Sequence, residues 1–410
     1  MNIQIRKKHV PVERYFTSPE DRDFFSGFSF APETIEAFLE RTLAEGRAEI
    51  GSDDDTLTFT VRDEADGKAC LEAVRSYYER WPVHITRMFG SYVLLTGEGG
   101  DLRAVRATPI PIRHCPLMKK LLTEVGGETA EKLLTRVADA DTTDQSELMC
   151  ELINRVVIDG GYFDTSRPLN SCEANVLFGA SETIYSAFES GLVDAAVIVS
   201  NNLGTIITTN ASGTQGAVKR MTGLFYTSPS AKLTERCSEA GIIPVFPYTA
   251  EIDQVTGVRM AVEKGFRRIA VTLAAKDNIL WPEIEAIERE SGVLIYKFGL
   301  CSTGISEETA AAMQDHTDLV WSCASKAVKE HIEPNAVAQV GLRIPVHIMT
   351  ERGWEIVKQH LQAQPHTADL DGITLTAGED KPILANRHDG IACIRKADIK
   401  GCVDCPYPCV

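Results

Sequence analysis

The chain has 410 residues, 44% hydrophobic and 24% charged, the balance of a soluble globular protein with length for two or three domains and at least one large core. Its formal net charge of -16 argues against nucleic acid and against a membrane surface as partners, since both call for a basic face. The stretch Met1 to Lys8 lacks the apolar core of a signal peptide, and no run of about eighteen apolar residues occurs anywhere, which points to a cytoplasmic protein. In that reducing compartment eleven cysteines, an odd number, read as buried residues and metal ligands rather than as a disulfide framework.

Residues 1–108 read as a small α+β domain. Pro32 to Gly46 has helical spacing through Ile35, Phe38, Leu39 and Leu43, and Thr56 to Arg62 alternates like a strand. A second helix is expected from Ala65 to Trp81, then a strand from Tyr92 to Leu95 before the turn-forming Gly97-Glu98-Gly99-Gly100. Pro109-Ile110-Pro111 makes a stiff connection to the second domain.

Residues 109–385 read as an α/β domain, a mostly parallel sheet with helices on both faces, because apolar runs and helical patterns alternate. The buried strands are expected at Ala195 to Val199, Ile269 to Leu273, Val293 to Phe298, Leu319 to Trp321 and Ile344 to Ile348. The helices are expected at Gln254 to Gly265, Pro282 to Ser291, Glu307 to Gln314, Ser325 to His331 and Glu351 to Leu361. Right-handed crossovers align such strands, and ligands of open α/β sheets bind at their carboxyl edge.

That edge rule selects Cys301 and Cys323, which follow expected strands directly and are read as catalytic thiols at the entrances to helices, where free amides lower a thiol's pKa. After the first strand comes Ser200-Asn201-Asn202-Leu203-Gly204. Asn201 and Asn202 there, with Lys219 and Arg220 beyond the Gly213-Thr214-Gln215-Gly216 segment, are the candidates for binding a small anionic substrate. The competing interpretations are a small buried hydrophobe for each cysteine and a plain turn for the glycines.

Residues 386–410 form a cysteine-rich tail. Cys393, Cys402, Cys405 and Cys409 stand in the spacing C-x8-C-x2-C-x3-C, and Pro406 and Pro408 keep the segment out of a helix so that the sulfurs can turn toward one point. This is a ligand set for an iron-sulfur cluster, [4Fe-4S] by its resemblance to ferredoxin spacing; zinc would accept the same four sulfurs, and plain tail cysteines or a disulfide are the further alternatives. Cys115 and Cys172, both expected in loops, could join Cys323 as three ligands of a cubane whose fourth iron faces substrate.

The chain also resembles a known family. The resemblance is carried by His114-Cys115-Pro116-Leu117, Phe178-Gly179-Ala180-Ser181-Glu182, Leu192-Val193-Asp194-Ala195-Ala196-Val197-Ile198-Val199, Met221-Thr222-Gly223-Leu224 and Ile252-Asp253-Gln254-Val255-Thr256-Gly257-Val258. It continues through Thr303-Gly304-Ile305-Ser306, Cys323-Ala324-Ser325-Lys326, and Gln339-Val340-Gly341 followed by Ile344-Pro345. Over about residues 113–360 the chain resembles the methanogenesis marker protein 8 family, a domain of unknown function associated with methanogens and other strict anaerobes. The resemblance implies an anaerobic setting, which suits an oxygen-sensitive cluster, and the first hundred residues and the tail are additions to the family form.

Three functions are compatible with these features. The first is an anaerobic iron-sulfur oxidoreductase or lyase acting on a small anionic substrate. The second is a factor that delivers a cluster or electrons to a redox or metalloenzyme protein partner, and the third a zinc-stabilised small-molecule binding protein. A homo-oligomer is compatible with each.

Overall fold

The computed structural model describes residues 1–9, 15–16, 31–110, 116–139, 145–174, 178–219, 223–323, 325–340, 345–363 and 385–387. Near the start, β1 (Asn2–Arg6), β2 (Ala48–Ser52) and β3 (Thr56–Val61) form an antiparallel sheet in the order β1-β3-β2. Helices Ile35–Thr42 and Glu64–Arg80 bury Phe38, Leu39, Cys70, Val74 and Tyr78 against Leu57, Phe59 and Val61 of β3. Both begin where the sequence supplies a cap: Thr34 accepts from the Ala37 amide and Asp63 from the Asp66 amide.

Three strands come next, β4 (Val83–Met88), β5 (Ser91–Thr96) and β6 (Arg103–Ala107). Later in the chain come β7 (Ala195–Ser200), β8 (Gly204–Thr208), β9 (Gly223–Tyr226), β10 (Ile242–Pro244), β11 (Arg268–Ala274) and β12 (Leu294–Leu300). The last four are β13 (Leu319–Trp321), β14 (Ala338–Val340), β15 (Val346–Ile348) and β16 (Ala385–Arg387). Strand β9 leaves its neighbours in sequence and pairs with β4, giving the four-stranded antiparallel sheet β6-β5-β4-β9. This sheet therefore draws on both sides of residue 108. The other strands form one nine-stranded sheet, β10-β8-β7-β11-β12-β13-β15-β14-β16.

The large sheet is mixed, which corrects the expectation of a mostly parallel one. Its parallel pairings are β7 with β11, β11 with β12 and β12 with β13; the other five are antiparallel. The reason is loop length. A parallel pair needs a crossover of a dozen residues or more, whereas β7 reaches β8 across Asn201, Asn202 and Leu203 alone and must turn back.

Helices cover both faces of the parallel centre, and the alternation of side chains decides which face each strand residue serves. Ala195, Val197, Ile269, Val271 and Ile295 pack with helices Gln254–Glu263 and Trp281–Ser291. Ala196, Ile198, Ala270, Tyr296 and Phe298 pack with helices Ala180–Glu189, Ala211–Val218 and Glu351–Gln362. The helix expected near residues 325–331 is a π-helical turn, Val328–Ile332.

The four-stranded sheet sits over the carboxyl edge of the parallel strands. One of its faces packs Val93, Leu95 and Ala104 on Met149, Leu152, Ile153 and Val156, while the other gathers Tyr15, Phe16, Val83, Ile85, Tyr92 and Phe225 beside Ala274 at the end of β11. A polar joint fastens this cap. Thr227 Oγ1 accepts from the Asn202 amide at 2.9 Å and shares a hydrogen bond of 2.7 Å with Nδ1 of the buried His84.

Two of these positions give measurable effects on stability. Gly204 has φ +65 and an added Cβ would lie 2.2 Å from the Ala250 carbonyl oxygen, so Gly204→Ala is expected to destabilise the fold by about 3 kcal/mol in a denaturant titration. Burial, then the charges of Lys8 and Arg167, push the His84 pKa down from 6.5 to about 3, so the unfolded chain binds the extra proton between those values. Stability should therefore fall as pH drops through that window, by on the order of 3 kcal/mol between about pH 7 and pH 4, and His84→Gln should flatten this dependence in thermal melts taken across the range.

Candidate functional site

The parallel register of β12 and β13 places Phe298 beside Leu319 and Gly299 beside Val320, so the two strands end together and release Cys301 and Cys323 side by side. Both residues take left-handed backbone, φ 54 at Cys301 and φ 45 at Cys323. For a residue with a side chain this costs about 1 to 2 kcal/mol, and such positions concentrate where function fixes a side chain's direction.

The fully buried Ser302 closes the gap between the strand ends. Its Oγ lies 2.7 Å from the Trp321 carbonyl and 2.6 Å from the Ser322 carbonyl, beside Cys323. Burial pushes the Cys301 thiol up to about 12, with the neighbouring Cys323 adding to the rise and Arg87 opposing it. Burial raises the Cys323 thiol as well, against the pull of Ser302, Arg87 and Thr303. The lowering expected from helix entrances does not occur, because helix Glu307–His316 starts six residues beyond Cys301 and takes its cap from Ser306. In the protein alone both groups are thiols, and a cation or a stronger base must come close before either ionises.

The cap sheet supplies the cation. Arg87 continues the row Val83, Ile85 on the face of β4 that looks at the sheet edge, directly across from Tyr92 on β5. Its Nε donates to the Gly90 carbonyl at 3.2 Å and its guanidinium carbon lies 5.1 Å from the centre of the Tyr92 ring, while its buried Nη1 has no hydrogen-bond partner among the described residues. Lys276, in the turn after β11, approaches the same ring at 5.4 Å and donates to the Tyr15 carbonyl at 2.9 Å. The Tyr15 hydroxyl in turn donates to the buried Asp277 at 2.8 Å. Two thiols, two cations, a carboxylate and hydroxyls thus share one edge, where the thiols can serve as nucleophiles or metal-facing ligands and the cations can hold an anion.

The other expected residues go elsewhere. Asn201 and Asn202 are buried in the β7–β8 turn: the Asn201 amide group donates to the Tyr162 carbonyl at 3.0 Å, Arg167 donates to the Asn201 carbonyl, and Asn202 (φ 65) is tied to Thr227. Lys219 is ion-paired with Glu173, and Gln215 also holds that loop through the Glu173 carbonyl at 2.9 Å, which leaves the adjacent Cys172 exposed beside Tyr185. Cys115, Arg220, Cys393, Cys402, Cys405 and Cys409 lie outside the described residues. Among the described residues the group with ligand atoms gathered for a metal is Glu307, Glu330 and His331, all within 4.8 Å at the surface and without a cysteine.

Arg87, Lys276, Tyr15 and Ser302 were not singled out by sequence reasoning. The usable signal was Arg87 itself, a cation in the middle of an otherwise apolar and hydroxylated strand, Val83-His84-Ile85-Thr86-Arg87-Met88. From the thiol environments, metal-free protein treated with iodoacetamide near pH 8 should label the exposed Cys172 first, with Cys301 and Cys323 lagging by about tenfold or more and gaining as pH rises toward 12. Site-resolved mass spectrometry checks the order.

Residues 84–362 match a family described as an uncharacterized protein conserved in archaea, DUF2099. An uncharacterized protein of Methanocaldococcus jannaschii, MJ0054, is 31% identical over 303 residues, covering 73% of this chain and 96% of that protein. The family match opens on β4 and so takes in the cap sheet with Arg87, earlier than the start near residue 113 expected from the sequence; β1 to β3 and their two helices fall before it. The chain belongs to this archaeal family of uncharacterized proteins.

Proposed function

We propose that the protein is an anaerobic iron-sulfur enzyme of the oxidoreductase or lyase type, and that within its archaeal family it is of the methanogenesis marker protein 8 kind. The observation that carries this reading is the pair Cys301 and Cys323, held on left-handed backbone at the carboxyl edge beneath a buried cation. Two adjacent thiols kept un-ionised by burial are poorly suited to a resting nucleophile, yet they are well placed to face a metal-bound substrate whose positive centre draws off their protons. The tail cysteines Cys393, Cys402, Cys405 and Cys409 would hold the [4Fe-4S] cluster, with Cys115 and Cys172 as further ligands. Ser302 ties the ends of β12 and β13 together beside Cys323, and Arg87 and Lys276 supply positive charge for a small anionic substrate. No described helix is long and apolar enough to cross a membrane, in keeping with action in the cytoplasm.

Anaerobic purification tests the reading directly. The protein should be brown and contain iron and sulfide in about equal amounts, and Cys402→Ser with Cys405→Ser should remove both while the melting of the body is kept. Cys323→Ala should change stability by less than about 1.5 kcal/mol, since its position in an edge loop leaves little cavity. A colourless protein holding zinc alone would overturn the proposal in favour of a zinc-stabilised binding protein.

A further inference from the structure

A buried guanidinium nitrogen without an acceptor is costly, so the Arg87 Nη1 marks a place where an acceptor belongs. No described carboxylate fills that role. Asp277, the acid at this edge, is engaged by the Tyr15 hydroxyl at 2.8 Å. With Nε engaged by the Gly90 carbonyl and the plane set by stacking near Tyr92, the remaining nitrogens offer a flat fork, the shape complementary to a carboxylate.

We propose that Arg87 binds the carboxylate of a small ligand and presents the rest of that ligand to Cys301 and Cys323. The proposal rests on the strand edge being the reaction centre and adds the substrate class. It places anion recognition at Arg87 rather than at Asn201, Asn202 and Lys219, of which Lys219 is ion-paired with Glu173.

Two thiol reagents of similar size separate the charge effect from thiol reactivity. Iodoacetate carries a carboxylate and iodoacetamide does not; in each case the thiolate sulfur forms the new carbon-sulfur bond, iodide leaves, and the thiol proton goes to solvent. In metal-free protein at about pH 9, the iodoacetate-to-iodoacetamide rate ratio at Cys301 or Cys323 should exceed that at the exposed Cys172. Arg87→Gln should lower it by about tenfold. Arg87→Lys, which keeps the charge without the fork, should retain part of the preference and covers the case in which Arg87→Gln fails to fold. Taking a ratio cancels any rise in thiol pKa that losing Arg87 causes, because both reagents need the same thiolate. Acetate at constant ionic strength should slow labelling at the edge. An unchanged ratio in both variants, or no protection by acetate, would overturn the proposal. Iron content of anaerobically purified Arg87→Gln distinguishes the two readings: wild-type iron with a lost ratio supports both, and a lost ratio in a protein that never held iron leaves the carboxylate site standing without the cluster.

Discussion

The pairing of β4 with β9 is the constraint on which the site depends. It joins residues 85–87 to residues 223–226, so a strand from early in the chain is completed by one that comes after the β7–β8 hairpin of the large sheet. Because β9 runs on into Thr227, and Thr227 is bound to both Asn202 and His84, the pairing also sets how closely the cap approaches the β7–β8 turn. Arg87 and Tyr92 reach the sheet edge only through this arrangement; the thiols of Cys301 and Cys323 would otherwise face solvent and lose the burial that keeps them protonated.

Burial and charge pull in opposite directions at this edge, and their balance explains its chemistry. Removing water raises the pKa of both thiols and so favours their protonated forms. The same removal of water strengthens every charge interaction inside, so one cation there does more than a surface lysine could. Lys219 illustrates the contrast: ion-paired with Glu173 near the surface, it contributes little binding potential and serves to hold a loop.

Much of the large sheet was legible in the sequence because its centre is local in pattern. The runs at 195–199, 269–273 and 319–321 are apolar and bounded by turn residues, and they appear as β7, β11 and β13 almost residue for residue. Cys301 and Cys323 were reachable for the same reason, since a residue that directly follows a buried parallel strand must lie at its carboxyl end. Strand β8 was not: Gly204 to Thr208 reads as a polar elbow and a short apolar run, and only the three-residue link before it shows that the chain turns back. Arg87 stayed hidden because its importance depends on β4 meeting β9, a pairing across more than a hundred residues that no local periodicity encodes. Asn201 and Asn202 lie where the sequence puts them, in the turn after β7, but buried, with the Asn201 amide group on the Tyr162 carbonyl and the Asn202 main-chain amide on Thr227.

The first eighty residues, which precede the family match, use the same joint. Lys8 reaches past the β1 sheet to donate to the Thr227 and Ala250 carbonyls, with its nitrogen 4.2 Å from the centre of the Tyr226 ring, and Arg6 pairs with Glu251 at 3.0 Å. These contacts border a cleft of about 590 Å³ between the N-terminal strand and the loop at 250–256. Burial pulls the Lys8 pKa down to about 7, so the docking residue is held near the point of losing its charge. Thr227 is therefore touched from three directions: its carbonyl by Lys8, and its hydroxyl by Asn202 and His84. The N-terminal addition is thereby fastened to the same joint, at Thr227, that holds the cap sheet to the β7–β8 turn.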